Sequence, residues 1–199
     1  MNKKEPYRWA VIGCGDIARQ FGQAMGQEGR TLYGVANRTY ENAVAYAGKY
    51  GAAKVYESVS DVFTDENVDI VYIATPHNTH SGYISEALRH GKHVLCEKAI
   101  TLDSEELEQA QALAEKNGLI LAEAMTIYHM PLYRRLKELA DSGVLGRLCM
   151  VQMNFGSFKE YDMTNRFFNP RLAGGALWDI GVYALSFIRW FMSCPPDRI

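Results

Sequence analysis

Small residues at three positions of one short segment could bring the backbone close to a pyrophosphate. The segment reads Gly13-Cys14-Gly15-Asp16-Ile17-Ala18 and follows the apolar run Trp9–Ile12. Gly13 would allow a tight turn, Gly15 would let the backbone approach phosphate oxygens, and Ala18 would keep a following helix close to the strand. The N–H groups of the first turn of that helix would then face the phosphates. A glycine turn without a ligand is the alternative, because short glycine patterns also arise by chance.

Polar residues follow three other apolar runs, at the ends where parallel sheets bind ligands. They are Asn37-Arg38, the segment Thr75-Pro76-His77-Asn78-Thr79-His80, and the pair Glu97-Lys98. Together with the glycine turn, these segments predict a dinucleotide site. The residues expected to contact the cofactor are Gly13, Cys14, Gly15, Asp16, Ile17, Asn37, Arg38, Thr75, Pro76, His77, Asn78, His80, Glu97 and Lys98.

Arg38 bears on the choice between NAD and NADP. Sheets that select NAD place a carboxylate after the second strand, where it holds the ribose hydroxyls. Arg38 stands there instead, and a guanidinium group would pair with the 2′-phosphate of NADP. We therefore expect NADP in preference to NAD. An Arg38 that is solvated at the start of a helix, or that only stacks on adenine, is the alternative.

Three side chains could move a proton. Lys98 lies in the predicted crevice, and Asp179 and Tyr183 stand four residues apart on a predicted helix, so that they share one face. A tyrosine hydroxyl has a pKa of about 10, and a nearby ammonium group would lower that pKa toward neutrality. Lys98 could supply this charge and make Tyr183 a general acid or base. A surface lysine, an acid in a first helical turn and a core tyrosine are the alternative.

Neither the histidines nor the cysteines predict a metal site. His77 lies near His80 and His90 lies near His93, but neither pair has a third ligand that can be placed with it, apart from nearby glutamates. The four cysteines are scattered, with no Cys-x-x-Cys pair. We therefore expect no metal, and free thiols in a reducing cytoplasm.

The composition is that of a globular protein with mixed charge. The 199 residues include 21 basic and 23 acidic ones, which give a formal net charge of −2. No basic stripe stands out, so a nucleic-acid partner is not indicated. The sequence contains no recognisable signal peptide and no run that predicts a membrane span.

Strands and helices are predicted to alternate over the first 123 residues. Apolar runs predict six strands, at 9–12, 31–37, 54–56, 69–75, 92–96 and 119–123. Amphipathic segments predict helices between them, at 17–25, 40–50, 59–64, 79–90 and about 104–118, the last beginning after a cap at Asp103. This alternation favours a Rossmann-type doubly wound parallel sheet of the α/β class, so we expect an NAD(P)-binding domain over residues 1–123.

Residues 124–199 have a different character. After a helix at 132–141, the run 147–158 predicts one long strand, and an apolar stripe predicts a helix over 174–192. One strand and one helix cannot bury both of their apolar faces, and a lone strand leaves an unpaired edge. We therefore expect the beginning of an α+β substrate domain over 124–199, which stops before it is complete. Self-association into a homo-oligomer would cover the edge of the strand.

The motifs together resemble the glucose–fructose oxidoreductase/inositol dehydrogenase (Gfo/Idh/MocA) family along the whole chain. The resemblance is carried by the glycine turn, by Ala74-Thr75-Pro76-His77-Asn78-Thr79-His80, by His93-Val94-Leu95-Cys96-Glu97-Lys98 and by residues 174–183. It implies hydride transfer between NAD(P) and a carbinol carbon of a sugar, polyol or diol. It places Lys98 beside the nicotinamide and matches Asp179 to the helix acid. It makes Tyr183 the acid/base residue, as in the branch of dihydrodiol and xylose dehydrogenases.

The chain departs from the family pattern at several positions. Ala99 stands where the family has a proline after the lysine, which implies a looser turn around Lys98. Thr126 and Tyr128 stand where the dihydrodiol branch tends to carry Trp and Arg, so the resemblance does not choose a substrate. The family's second domain continues as a large open antiparallel sheet that forms one wall of the site and often the dimer face. A nucleotide-binding protein without catalysis, such as a redox sensor or an inactive fragment, is the alternative function.

Overall fold

The computed structural model describes residues 7–165 and 167–192, which fall into two compact units. The first unit ends at Ala124 and the second begins at Met125. The strands of the first unit are β1 (Trp9–Ile12), β2 (Gly34–Ala36), β3 (Lys54–Val55), β4 (Ile70–Ile73), β5 (His93–Cys96) and β6 (Leu121–Glu123). Its α-helices are α1 (Asp16–Gln27), α2 (Tyr40–Tyr50), α3 (Val59–Thr64), α4 (His80–Arg89) and α5 (Ser104–Asn117).

The six strands form one parallel sheet in the order β3-β2-β1-β4-β5-β6. The order reverses at β1, where β2 lies on one side and β4 on the other. In such sheets the crevice at the carboxyl ends of the strands binds ligands. The predicted doubly wound parallel sheet is confirmed.

Both faces of the sheet are packed. Ala10 and Ile12 of β1 enter one core cluster and Val11 enters the other, because successive side chains of a strand point to opposite faces. Residues of α3, α4 and α5 complete the first cluster, and residues of α1 and α2 complete the second. Strands buried on both faces give continuous apolar runs, which is why β1 and β4 are evident in the sequence.

Side-chain caps fix the starts of two helices. Ser58 begins α3 with a capping box: its hydroxyl accepts the Ser60 N–H, and Asp61 accepts the Ser58 N–H. The cap predicted at Asp103 is present at the start of α5, where its carboxylate accepts the Glu105 N–H at 2.6 Å. These polar starts lie on the sheet connections and leave the apolar helix faces for the core.

The second unit is built from helical segments. It contains a 3₁₀ turn at Thr126–His129, α6 (Pro131–Asp141), a 3₁₀ turn at Pro170–Leu172, a π-helical segment at Leu177–Gly181 and α7 (Val182–Phe191). Aromatic side chains join α6 to α7, since the rings of Tyr133 and Phe187 meet edge to face with centroids 5.2 Å apart. The single helix predicted over 174–192 is therefore two segments with different hydrogen-bond periods.

The strand predicted at 147–158 is wrong. Residues 148–160 belong to neither a strand nor a helix, and the Phe158 side chain is 93% exposed. A strand is stable only when it pairs with a neighbour, and the described part of the second unit supplies no such neighbour. The expected self-association through the edge of this strand therefore has no basis in the structure.

Two further findings concern thiols and membranes. Cys14, Cys96 and Cys149 are free thiols, while Cys194 lies outside the described residues. Within residues 7–165 and 167–192, none of the helices combines the length and the apolar character that crossing a membrane requires.

Candidate functional site

Gly13 lies where β1, β2 and β4 end together. Its φ of 96° falls in the left-handed region that favours glycine. A Cβ at this position would stand 2.5 Å from the carbonyl oxygen of Ala74, which follows β4. The Gly13 N–H donates to the Ala36 carbonyl, with an N–O distance of 2.9 Å. Gly13 therefore permits both the tight turn and the close approach of three strand ends.

The start of α1 has the open geometry that a phosphate group needs. Gly15 precedes the helix, and a Cβ there would meet no atom within 4 Å. No side chain among the described residues caps this helix start. Asp16 and Arg19 form an ion pair on the exposed side of the first turn, at 3.2 Å. The residues present thus fit a dinucleotide, whose phosphate oxygens would accept hydrogen bonds from the N–H groups at the start of α1.

Asn37 connects the glycine turn to the loop after β2. Its side-chain oxygen accepts the Cys14 N–H at 3.2 Å, and its amide group donates to the Thr39 carbonyl at 2.9 Å. Burial raises the pKa of the Cys14 thiol to about 11, so the thiol is protonated at neutral pH. The neighbouring Arg38 is exposed. The two residues predicted at this strand end therefore differ, since Asn37 braces the turn and Arg38 faces solvent.

The segment after β4 is held by its own side chains. The hydroxyl groups of Thr75 and Thr79 share a hydrogen bond of 2.7 Å, and the Thr79 hydroxyl lies 2.7 Å from the Pro76 carbonyl. His77 and His80 are buried, and their rings meet edge to face. No group of three potential ligands is assembled among the described residues. The two histidines therefore belong to a packed polar turn.

Glu97 is a buried carboxyl group beside the predicted catalytic lysine. It accepts a hydrogen bond of 2.6 Å from the Tyr72 hydroxyl. Burial raises the pKa of the Glu97 carboxyl, while the Tyr72 hydrogen bond and the charge of Lys98 oppose that rise. Burial and the Glu97 carboxylate raise the pKa of Tyr72. The Lys98 ammonium therefore has a buried acidic neighbour.

Side chains contact the turn after Lys98 on both sides. The Lys98–Ala99 peptide bond is cis. Nδ1 of His80 lies 2.8 Å from the Ala99 carbonyl oxygen, and the Ile100 N–H donates to Oε1 of Glu123 at 2.9 Å. The looser turn that the resemblance implies at Ala99 stays a prediction.

Glu123 is a candidate site residue that the sequence interpretation missed. It ends β6 and pairs in register with Cys96, so it reaches the same sheet edge as Lys98. Burial raises the pKa of the Glu123 carboxyl, and the Ile100 N–H and the Lys98 charge oppose that rise. The sequence signal that could have identified Glu123 is a carboxylate at the carboxyl end of β6, the next strand after the Glu97-Lys98 pair.

Asp179 and Tyr183 lie in the second unit. Asp179 belongs to the π-helical segment Leu177–Gly181, and Tyr183 lies in the first turn of α7. A π-helix repeats through i→i+5 hydrogen bonds, so a four-residue spacing falls just short of a full turn. The shared face therefore stays a prediction. The ring of Tyr183 meets Phe155 edge to face, with centroids 5.8 Å apart.

A cavity of about 240 Å³ extends from the amino ends of the strands to Leu95 of β5 and Ala122 of β6. Its lining includes Tyr7, Trp9, Ile70 and His93, which stand at the amino ends of the strands. The lining is predominantly apolar and contains none of the predicted site residues. The cavity is therefore separate from the edge that carries the glycine turn.

Known proteins with related sequences or structures are dehydrogenases and reductases. A solved 3-ketoreductase from Actinomadura kijaniata, in complex with NADP and TDP-benzene, is 30% identical with a TM-score of 0.79, and the match covers 92% of this chain and 57% of that one. The scyllo-inositol 2-dehydrogenase (NADP(+)) of Bacillus subtilis is 33% identical, over 89% of this chain and 56% of the relative. The trans-1,2-dihydrobenzene-1,2-diol dehydrogenase of Sus scrofa is 33% identical, over 91% and 54%. The chain thus spans little more than half the length of these relatives.

Family models account for most of the chain. The model described as an oxidoreductase family with an NAD-binding Rossmann fold matches residues 7–125. The model of the GFO/IDH/MocA C-terminal domain matches residues 133–199. The first match covers the whole parallel sheet, with the glycine turn and the Lys98 turn at its carboxyl edge. The chain therefore belongs to the Gfo/Idh/MocA oxidoreductase family, and its first unit is an NAD-binding Rossmann domain.

Proposed function

We propose that this protein is an NADP-preferring oxidoreductase that acts on a CH–OH group of a sugar, polyol or diol. One observation carries the proposal, namely that the glycine turn and Lys98 lie on one sheet edge. Ala74 donates to the Ile12 carbonyl at 2.8 Å, and Glu97 donates to the Ile73 carbonyl at 2.9 Å, so hydrogen bonds link the adjoining strand ends. The names of the relatives, which act on an inositol, a diol or a keto group, support the substrate class.

The residues that would hold the cofactor follow that edge. The pyrophosphate would lie on the start of α1 at residues 13–18, and the adenosine would lie near Asn37 and Arg38. The exposed guanidinium of Arg38 is available to a 2′-phosphate, which supports NADP over NAD. Residues 75–80 and Glu97-Lys98 would line the nicotinamide end. When bound, the nicotinamide supplies the hydride chemistry.

Lys98, Asp179 and Tyr183 would handle the substrate proton. Tyr183 would exchange the proton with the substrate oxygen as general acid or base, which contributes about 10²–10⁴-fold to the rate. The Lys98 ammonium would favour the tyrosinate and so ease proton transfer near neutrality. Asp179 is assigned from the family motif and would assist at the same helix face.

Turnover tests this proposal. The wild-type chain is mixed with NADPH or NADP and a panel of aldoses, ketoses, polyols and diols, and absorbance of the nicotinamide is followed. Tyr183→Phe should lower turnover by about 10²–10⁴-fold and leave NADPH affinity unchanged. Tyr161→Phe is the matched control, because Tyr161 is exposed. Full turnover by the Tyr183 variant would contradict the proton role.

A nucleotide-binding protein without catalysis is the second candidate. Its support is that no residue of α6 or α7 is fully buried, although α7 contains the proposed proton-transfer residue Tyr183. In that case NADPH would bind saturably, yet the whole substrate panel would give no turnover. Turnover of any member of the panel would exclude it.

We also propose that the chain forms a homo-oligomer in the cytoplasm. Leu132 of α6 and Leu185 of α7 are exposed, and such apolar side chains favour association. Free thiols at Cys14 and Cys96 suit a reducing compartment. Sedimentation at micromolar concentration should show a species larger than a monomer. A clean monomer would contradict the oligomer.

A further inference from the structure

Two side chains from different elements hold the backbone that follows Lys98. His80, at the start of α4, places Nδ1 at 2.8 Å from the Ala99 carbonyl oxygen. Glu123, at the end of β6, accepts the Ile100 N–H at 2.9 Å. Ala99 itself is buried. The position of the Lys98 backbone therefore depends on contacts made by the two residues that follow it.

The His80 side of the turn is anchored to the neighbouring loop. The ring is fully buried, and Nε2 lies 2.9 Å from the Thr75 carbonyl oxygen. A neutral imidazole donates from one nitrogen, so in either tautomer His80 donates to one of these two carbonyl oxygens. His80 thus ties the loop after β4 to the turn after β5. The opposite side of the turn rests on Glu123.

Glu123 occupies a fixed place at the sheet edge. Glu123 pairs in register with Cys96 between β5 and β6. The backbone N–H of the following residue, Ala124, donates to the Cys96 carbonyl at 2.8 Å. The carboxylate acts on the turn in two ways, since it accepts the Ile100 N–H and its charge interacts with that of Lys98. One interaction fixes the backbone, and the other attracts the Lys98 side chain.

We propose that Glu123 is a positioning residue for Lys98, holding the turn at Ile100 and balancing the ammonium charge. Glu123 acts through Lys98 and needs no contact with substrate or cofactor. Its consequence for turnover rests on the proposed oxidoreductase function. The effect of Glu123 on the turn after Lys98 is independent of that function.

Two substitutions separate the two actions of Glu123. Glu123→Gln keeps an oxygen that can accept the Ile100 N–H but removes the charge, whereas Glu123→Ala removes both. Glu108→Gln, on the exposed surface of α5, is the control for loss of one carboxylate. All three variants are prepared in the 199-residue chain, and far-UV circular dichroism checks that they fold.

The first readouts need no turnover. In Glu123→Ala, hydrogen exchange of the Ile100 amide should rise about tenfold to a hundredfold, as expected for loss of a hydrogen bond to a charged group, whereas Glu123→Gln should keep most of the protection. Labelling of Lys98 by an amine-reactive reagent, measured by mass spectrometry, should rise about threefold to tenfold in both variants, because the side chain is no longer attracted to the Glu123 carboxylate and reaches the reagent more often. If Glu123→Ala does not fold, the labelling of Lys98 in Glu123→Gln tests the positioning role by itself.

Turnover supplies the functional readout. Glu123→Ala should lower kcat by about tenfold to a hundredfold with the KM for NADPH unchanged, and Glu123→Gln should recover part of that loss. Wild-type exchange at Ile100 together with wild-type labelling of Lys98 would overturn the positioning role. A wild-type chain that turns over no substrate would instead count against the proposed function, and exchange and labelling would still decide the role of Glu123.

Discussion

The two units of this chain differ in how completely they pack their apolar side chains. The central strands β1, β2 and β4 of the first unit are buried on both faces, while α6 and α7 of the second contain no fully buried residue. The exposed large apolar side chains of the second unit are Met130, Leu132, Leu136, Val144, Leu145, Met150, Phe155, Phe158, Tyr161, Met163, Leu177 and Leu185. All of the residues proposed to bind the dinucleotide lie in the first unit. The residues proposed to complete proton transfer lie in the unit whose apolar faces are less covered.

The same Leu→Ala substitution in each unit should show the difference in packing most clearly. Leu88 of α4 is fully buried, whereas Leu185 of α7 is 58% exposed. Leu88→Ala should lower the free energy of unfolding by about 2–5 kcal/mol, through lost burial and a residual cavity. Leu185→Ala should change it by less than about 0.5 kcal/mol. Urea unfolding followed by circular dichroism measures both, and equal losses would break the comparison.

A pair of glycines sharpens the claim that the glycine turn is specially constrained. Gly13→Ala should cost about 2–4 kcal/mol of stability and weaken NADPH binding, because it places a Cβ against the Ala74 carbonyl at a positive φ. A Cβ added at Gly82 on α4 would meet no atom within 4 Å. Gly82→Ala should therefore stabilise the protein by about 0.5–1 kcal/mol, because alanine has the higher helix propensity. Thermal unfolding compares the two. A harmless Gly13 variant would show that the turn tolerates a side chain.

Polar contacts should also differ between the units. The Asp65 side chain is 7% exposed and accepts hydrogen bonds from Lys54 at 2.7 Å and Tyr56 at 2.9 Å. Asp65→Asn should cost about 1–3 kcal/mol. Glu138→Gln should cost less than about 0.5 kcal/mol, because it breaks an exposed ion pair with Arg135 on α6. Similar losses in urea unfolding would contradict this difference.

The Asp65 contribution should depend on pH with a defined sign. Its hydrogen bond from Lys54 is the main reason that the pKa of Asp65 lies below its ordinary value. The contribution is therefore complete above the unfolded pKa of about 3.9 and is lost as the pH falls through the lower folded pKa. The stability difference between wild type and Asp65→Asn should shrink below about pH 4. A difference that grows on acidification would contradict the assignment.

Cofactor preference gives the smallest expected effect. Arg38→Ala should reduce the preference for NADPH over NADH by about tenfold, since one charge-assisted pair is lost. Arg30→Ala, another exposed arginine in the first unit, should leave the ratio unchanged. Fluorescence titration with each reduced nucleotide gives the two dissociation constants. An unchanged ratio in the Arg38 variant would assign the selectivity elsewhere.

The difference between the units also marks what the sequence could predict. β1 and β4 were recognisable because burial on both faces leaves a continuous apolar run, and α2 and α3 have the predicted bounds. The run 147–158 only partly alternates between apolar and polar residues, and no described strand lies beside it. A strand-like pattern does not show whether a pairing partner is present, and without that partner no strand forms.

Site residues were predictable where a local motif carries them. The glycine turn and Glu97-Lys98 follow apolar strands directly, so their place at the sheet edge follows from the chain order. Glu123 was missed because only the register of β5 with β6 brings it to Lys98. The π-helical segment around Asp179 was missed for a similar reason, since an apolar stripe does not distinguish i→i+5 from i→i+4 hydrogen bonds.

Titration of the ¹⁵N-labelled 199-residue chain with NADPH measures most directly where a dinucleotide binds. Saturable amide shifts are expected at residues 13–18, 37–38, 75–80 and 97–98, all at the carboxyl edge of the sheet. The amides of Trp9 and His93, which line the cavity at the opposite edge, should stay unchanged. No saturable shift, or shifts confined to that cavity, would contradict a dinucleotide site at the glycine turn.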